Sequence, residues 1–173
     1  LQGSRLSPAA GRELMTNLRA KELQFQAAAN LALGLVLDAT VDSSVNTAEK
    51  AFMAVPGQVF NATVTVENPS KETLVIKDIR MDVPKGWKTA LLSQAVSSLA
   101  PGQRATVQFR VNVADDASET RPYWHRNDPE TDSLNTIDQA QYATLALPPP
   151  PVRAHATYQL KGLEGTMSSV VMV

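Results

Sequence analysis

The amino-acid sequence predicts a mainly β protein, an antiparallel β-sandwich preceded by one α-helix. Apolar and polar residues alternate with a period of two in most segments after residue 34. Turns that contain Gly and Pro separate these segments, whereas a helical spacing of apolar residues occurs only before them. Each alternating strand has one apolar face, so two sheets must cover each other.

The helix is predicted over residues 7–33. Ser7 is suited to cap its N-terminus, Pro8 fits the first helical position, and Gly34 ends the pattern. Apolar residues recur at close to helical spacing: Leu14, Leu18, Leu23, Ala27 and Leu31. We expect this stripe to pack on its own domain or on a neighbouring one. A membrane-surface helix is disfavoured because the polar face mixes both signs of charge.

Strands are predicted from Leu35 onward. A first strand ends at Val41 and is followed by a polar loop over residues 42–50. Pro-Gly-Gln turns at residues 56–58 and 101–103 introduce the two clearest strands. Between those two strands, apolar positions change parity near Lys77, which predicts a β-bulge. A short strand is expected at residues 88–92.

The last third of the sequence predicts a long polar loop and a final pair of strands. The loop covers residues 114–140, which is long for a structureless connection in a compact domain. Alternation resumes at residues 152–160, a turn is expected at residues 162–165, and a last strand runs from residue 166. The seven or eight strands predict an immunoglobulin-like sandwich over residues 34–173, with residues 1–33 as a connector helix.

Composition argues for a binding or structural module and against an enzyme. The 173 residues suit one domain, and 16 Lys and Arg balance 17 Asp and Glu. No basic field exists for nucleic acid or an anionic membrane. No Cys is present and only two His, so thiolate sites are excluded and a zinc site is disfavoured. No apolar run approaches the roughly 20 residues of a membrane span, and we expect no cofactor.

The densest polar-aromatic cluster lies in the predicted long loop. It consists of two aromatic residues, a histidine, two arginines and two aspartates: Arg121, Tyr123, Trp124, His125, Arg126, Asp128 and Asp132. The first five are the candidate contact or sugar-binding residues. In one interpretation, exposed aromatic rings here stack on a sugar or dock on another domain. In the other, the two aromatic residues anchor the loop against the sandwich. His125 with the nearby Asp128 or Glu130 is a poor set of metal ligands, because a catalytic zinc needs three protein ligands in fixed geometry.

Two segments carry a resemblance to a known family. They are VPGQVFNATVTVENPSKETLVIKDIRMDVPKGW (residues 55–87) and LAPGQRATVQFRVNVADDA (residues 99–117). Their Pro-Gly, Asn-Pro, Pro-x-Gly-Trp and Leu-x-Pro-Gly turns occur in the order typical of one domain family. The segments resemble the NPCBM-associated sandwich domain, of the NEW type first named in bacterial alpha-galactosidases. The resemblance implies an immunoglobulin-like accessory domain without catalytic residues.

Residues 120–160 and the segment 21–41 are similar to downstream regions of bacterial PIG-L/LmbE-type de-N-acetylases. The zinc site of that family uses a His-Pro-Asp-Asp motif, which this sequence lacks. The resemblance therefore implies a noncatalytic piece of a longer bacterial enzyme, whose partner is the catalytic domain of the same polypeptide. A carbohydrate-binding module is the alternative, with carbohydrate as the ligand. We expect an extracytoplasmic protein, although the absence of Cys fits either compartment.

Overall fold

A computed structural model describes residues 6–42, 54–143 and 145–172. Within these ranges the chain forms one α-helix, ten strands and a short 3-10 helix. The elements are α1 (Pro8–Leu33), β1 (Val36–Val41), β2 (Val59–Asn68), β3 (Leu74–Asp82), β4 (Lys88–Leu91), β5 (Ser98–Leu99), β6 (Gln103–Asn112), β7 (Trp124–His125), β8 (Thr136–Ile137), the 3-10 helix (Ala140–Tyr142), β9 (Arg153–Leu160) and β10 (Leu163–Met172). The predicted mainly β class is confirmed. Beyond Asp42, the loop predicted over residues 42–50 lies outside the described residues.

Eight of the strands form one curled sheet, in the order β4-β6-β2-β1-β10-β9-β3-β5. All neighbouring strands pair in antiparallel fashion except β1 and β10, which pair in parallel through Ala39 with Val171 and Thr40 with Met172. This short contact joins two four-stranded halves, β4-β6-β2-β1 and β10-β9-β3-β5. The curled sheet is consistent with the predicted β-sandwich.

The core lies between the two halves and consists of the alternate residues that the sequence pattern predicts. Fully buried side chains include Val64 and Val66 of β2, Val107 and Val111 of β6, and Leu74 of β3. Each contributes about 1.5–3 kcal/mol by leaving water. The predicted β-bulge is confirmed, because the pairing of β3 with β9 shifts register between Ile76 and Asp78.

Asn68 is the one fully buried polar side chain among the described residues. Its amide nitrogen donates to the carbonyl oxygens of Glu72 (2.8 Å) and Leu99 (2.9 Å), and its Oδ1 accepts from Ser70 Oγ at 2.6 Å. The Gly102 amide donates to the Asn68 carbonyl at 2.7 Å. The Asn-Pro turn and the second Pro-Gly turn are therefore held together by one satisfied polar network.

The turn between β9 and β10 differs from the prediction. It consists of two residues, Lys161 and Gly162, which both have positive φ (49° and 84°). Two positive φ values are typical of the type I′ hairpin turn, which matches the twist of the flanking strands. Gly165, predicted to end this turn, lies inside β10 opposite Tyr158. A Cβ at residue 165 would collide with the Tyr158 ring, so the aromatic side chain covers this position of the strand.

The predicted helix is confirmed, including both of its ends. The Ser7 side chain accepts from the Ala10 amide at 3.2 Å, and Pro8 occupies the first turn. Gly34 adopts the left-handed conformation (φ 71°) that ends the helix. A Cβ on Gly34 would also lie 3.0 Å from Cγ of Pro69.

Of the two alternatives for the leucine stripe, packing on its own domain is not observed, and packing on a neighbouring domain stays a prediction. No residue of α1 is buried, and Leu18, Leu23 and Leu31 are 52%, 69% and 82% exposed. The helix meets the sandwich near its C-terminal end, where Asn30 Nδ2 donates to the Thr166 carbonyl at 2.8 Å and Tyr158 Oη donates to Asn30 Oδ1 at 2.7 Å. Polar contacts to the sheet therefore orient α1 together with Leu33, which is partly buried against the core, whereas Leu18, Leu23 and Leu31 are exposed.

Candidate functional site

The crossover segment, residues 113–152, joins β6 of one half to β9 of the other. The predicted loop 114–140 lies within it and contains the hairpin β7–β8, in which Trp124 pairs with Ile137 and His125 with Thr136. Residue 144 lies outside the described part of the segment. The hairpin brings four of the five candidate residues together on one short strand and its flanks.

Tyr123 anchors the crossover segment from within. It is 7% exposed, and its hydroxyl donates to the Leu145 carbonyl at 2.7 Å. Its ring packs edge-on against Tyr142 with centroids 6.3 Å apart, and its carbonyl accepts from the Asp138 amide at 2.8 Å. Tyr123 does not belong to the sandwich core, so this anchor joins parts of the segment to each other. Its ring is not presented for stacking on a ligand.

Trp124 is the aromatic residue of the cluster that reaches the surface. It is half-buried, and its pairing partner Ile137 is 44% exposed. Leu134, on the same hairpin, is 82% exposed. Trp124 and its apolar neighbours are therefore available to a partner.

His125 uses both of its ring nitrogens within the hairpin. Its Nδ1 lies 2.8 Å from Asp138 Oδ1, and its Nε2 lies 3.1 Å from Asn127 Oδ1. Among the described residues, no group of three or more His, Asp or Glu side chains is arranged to hold a metal ion. The imidazole therefore rigidifies the hairpin, and its two nitrogens are already engaged.

The two arginines differ in their surroundings. Arg126 Nε donates to Asn135 Oδ1 at 2.9 Å, which ties the two arms of the hairpin together. Arg121 is exposed and makes no hydrogen bond or ion pair with any residue that the structure describes. Arg121 thus remains open to an acidic or hydroxyl-rich partner.

Carboxylates near the cluster serve the hairpin turn. Asp128 Oδ1 accepts from the Glu130 amide at 2.9 Å, and Asp132 Oδ2 accepts from the Asp128 amide at 3.0 Å. A hydrogen bond from the Thr131 side chain, with that from the Glu130 amide, lowers the pKa of Asp128. These acids are ordinary turn-forming groups, and they do not form a pair suited to acid–base catalysis.

The sequence did not indicate a groove at one end of the sandwich. This open groove of about 660 Å³ is lined by Gly57, Val59, Gly86, Lys88, Asn112, Val113, Ala114, Asp115 and Asp116. Gly57 and Gly86 both have positive φ, and they belong to the two turns that the sequence did predict. The groove forms only when these distant turns meet the end of β6, so no local pattern identifies it. It combines an ammonium group, an amide and two carboxylates, and its lining includes no aromatic ring.

The motifs of the family resemblance form the turns of the sandwich. Trp87, which follows the Pro-x-Gly turn, packs edge-on against Phe60 with ring centroids 6.5 Å apart. Gly57 donates its amide to the Ala114 carbonyl at 3.4 Å, and Gly86 lies beside the same alanine. With the Asn68 network, these contacts show that the turn residues of the resemblance hold parts of the sandwich together.

Comparison with protein families confirms this resemblance. Residues 54–122 match the NPCBM-associated, NEW3 domain of alpha-galactosidase. The NPCBM-associated segment covers less than half of the chain and contains strands β2 to β6. Its five strands belong to both halves of the curled sheet, so β1, β9 and β10 outside it are needed to complete the sandwich.

Two further comparisons complete this picture. No curated protein matches the chain. The GAE domain of GGA2p from Saccharomyces cerevisiae is a similar solved structure, with 10% sequence identity over 78% of this chain and 84% of that chain and a TM-score of 0.43. No helix in the described part of the chain combines the length and apolar character that a membrane crossing requires. The NPCBM-associated match is therefore the comparison that bears on function.

Proposed function

We propose that the chain is a noncatalytic accessory domain that packs on and positions the catalytic domain of a larger bacterial carbohydrate-active enzyme. The observation that carries the proposal is the match of residues 54–122 to a domain described for alpha-galactosidase. Residues within this range, such as Asn68 and Trp87, form turns and core contacts, as expected of a scaffold. The chemistry then belongs to another domain of the same polypeptide.

The hairpin of the crossover segment is the proposed contact surface. Trp124, Ile137 and Leu134 present apolar surface on the hairpin, and the exposed Arg121 precedes it in the chain. Trp and Arg are enriched at protein interfaces. Tyr123 and the His125–Asp138 contact hold the hairpin in one conformation before a partner binds. Such preorganisation reduces the entropy lost on association.

The proposed parent enzyme is a zinc-dependent de-N-acetylase of the PIG-L/LmbE type. The support is the similarity of residues 120–160 to the downstream region of that family. The full polypeptide should carry a His-Pro-Asp-Asp motif before this chain and should release acetate from N-acetylated sugars. A parent with a different catalytic motif would contradict the de-N-acetylase assignment and leave the accessory role intact.

Replacing Trp124 tests the accessory role. Isothermal titration of this chain with the separately produced catalytic domain of its polypeptide should give measurable binding. The Trp124→Ala chain should bind at least about tenfold more weakly, since truncating a central aromatic anchor costs on the order of 2 kcal/mol. The matched control is Leu163→Ala, because Leu163 is 76% exposed on the β9–β10 hairpin, away from the proposed surface. Equal affinity of the Trp124→Ala chain, with an intact fold by circular dichroism, would reject the proposed surface.

A carbohydrate-binding module is the second candidate. The end groove with Lys88, Asn112 and Asp116 favours it, because amide and carboxylate groups hydrogen-bond sugar hydroxyls. Titration of the isolated chain with amino-sugars and glycans should then detect binding that Asp116→Asn weakens. Absence of binding across that panel would remove this candidate.

A further inference from the structure

A second surface of the chain is a regular apolar seam along α1. Its positions alternate in steps of three and four residues, as the a and d positions of a heptad repeat do. The seam consists of Gly11, Leu14, Leu18, Lys21, Phe25, Ala28 and Ala32. It extends over most of the helix and is independent of the hairpin surface of the proposed function.

The seam is uncovered in the described chain. Phe25 is 74% exposed, more than any other aromatic residue that the structure describes, and Leu14 and Leu18 are 37% and 52% exposed. The residues that contact the sandwich, Gln26 and Asn30, lie about a third of a turn around the helix from the seam. The sandwich therefore contacts α1 away from the seam, through these polar groups and Leu33.

We propose that the seam pairs with the seam of a second copy of this chain, forming an antiparallel two-helix coiled coil. A stripe limited to a and d positions is narrow, and such a stripe fits one facing helix better than a broad domain surface. A second copy supplies a helix with the same periodicity and length. The interface is isologous and closes as a dimer.

Lys21 determines the orientation of the two helices. In a parallel pair, the two Lys21 ammonium groups would face each other at the same d layer and repel. In an antiparallel pair, Lys21 lies beside Leu18 of the second copy, and its ammonium group reaches Glu22 of the second copy. The same register packs Leu14 on Phe25 of the second copy, which matches the two largest side chains of the outer layers. Charge and size therefore both favour the antiparallel arrangement.

The antiparallel arrangement also keeps the two sandwiches apart. The 26 residues of α1 extend over about 39 Å, and each sandwich is attached at the C-terminal end of its own helix. The sandwiches then lie at opposite ends of the coiled coil. The small residues Gly11, Ala28 and Ala32 and the charge of Lys21 limit the buried apolar area, so we expect a dimer of micromolar affinity.

Analytical ultracentrifugation of the full 173-residue chain tests the dimer. The chain should shift from monomer to dimer across micromolar concentrations, and Phe25→Glu should weaken the dimer at least tenfold. Leu23→Glu is the matched control, because Leu23 is 69% exposed on the same helix and lies off the seam. Lys21→Leu should strengthen association. A monomer at all of these concentrations, or equal effects of Phe25→Glu and Leu23→Glu, would overturn the proposal.

Disulfide trapping tests the orientation, because the natural chain has no Cys. A mixture of Leu14→Cys and Phe25→Cys chains should form a mixed disulfide on mild oxidation. Preferential Leu14→Cys homodimers would indicate parallel helices and contradict the antiparallel arrangement. Both variants replace exposed or half-exposed residues, so thermal unfolding should stay close to that of the natural chain.

Discussion

Gly165 and Tyr158 form a cross-strand pair in which the Tyr158 ring can lie over Gly165 only because glycine has no side chain. The Tyr158 ring occupies the volume that a Cβ of Gly165 would need, and Tyr158 itself is 3% exposed in the core. Burial raises the pKa of the Tyr158 hydroxyl, which therefore remains a hydrogen-bond donor toward Asn30 over the physiological range. The absence of a side chain at Gly165 thus lets the Tyr158 ring pack in the core and its hydroxyl reach Asn30.

Gly165→Ala should destabilise the protein by about 1–3 kcal/mol, because overpacking must displace a buried aromatic ring. Urea denaturation measures the free energy of unfolding. Gly11→Ala is the control, since a Cβ at residue 11 meets nothing within 4 Å and Ala is favoured in a helix by roughly 0.5–1 kcal/mol. A Gly165→Ala chain as stable as the natural one would mean that Tyr158 does not cover the strand.

Single residues could be predicted where their role is local. Ser7, Gly34 and the Pro-Gly turns act through backbone geometry, which neighbouring residues determine. The buried state of Tyr123 and the engagement of both His125 nitrogens depend on residues up to 22 positions away. The sequence therefore indicated which residue types cluster in the loop. It did not indicate that Tyr123 is the buried anchor and Trp124 the surface residue, because that difference depends on the hairpin.

The attachment of α1 to the sandwich is an element-scale feature that combines the partly buried Leu33 with one small polar network. Gln26 Nε2 lies 3.1 Å from Asn30 Oδ1, which also accepts from the Tyr158 hydroxyl. Asn30 Nδ2 adds the bond to Thr166. These partly buried hydrogen bonds contribute more to stability than bonds on the open surface. If one partner is removed, the other loses its hydrogen bond and is not fully solvated by water.

Asn30→Ala and Tyr158→Phe should each lower the free energy of unfolding by about 1 kcal/mol or more, and the double variant by less than their sum. A double-mutant cycle by urea denaturation gives the coupling energy. Gln24→Ala removes a hydrogen bond to Lys21 on the exposed side of α1 and should change stability by less than about 0.5 kcal/mol. Strict additivity of the two variants would show that the helix is not held by this pair.

Helices and strands could be predicted where the periodic pattern of apolar residues extends over several turns or alternations. Alternation over ten residues identified β2 and β6, and the parity change identified the bulge in β3. Strands β5, β7 and β8 have two residues each, which is too short for any period. The helical spacing of the leucines identified α1 but not its seam, because Leu23 belongs to the predicted stripe and lies off the seam.

At the scale of the whole molecule, the charges around His155, in the half β10-β9-β3-β5, make the stability depend on pH. His155 on β9 lies opposite Arg80 of β3, and Arg80 forms ion pairs with Asp78 and Asp82 at 3.1 Å each. Desolvation lowers the pKa of His155, and the positive charges of Arg80 and Arg153 lower it further, against the opposing effect of Asp82 and Asp78. The folded chain therefore binds this proton less readily than the unfolded chain.

Stability should decrease as the pH falls below about 6.5, the ordinary value of a histidine, and this contribution should level off once the folded-state pKa is passed. The sign follows because the unfolded state binds more protons in that range. Urea denaturation from pH 8 to pH 5 should show a shallower decline for His155→Gln than for the natural chain. Identical pH profiles would indicate that His155 titrates as it does in the unfolded chain.

The parallel contact between β1 and β10 makes the order of biosynthesis important. On the ribosome, β1 can pair with β2 early, but its other edge must wait until β10 has been translated. Until then, the nascent sandwich presents an open strand edge beside Leu37 and Ala39, of the kind that invites aggregation. Joining of the two halves of the sheet thus has to wait for β10, and a translational pause shortly before β10 would prolong the vulnerable interval.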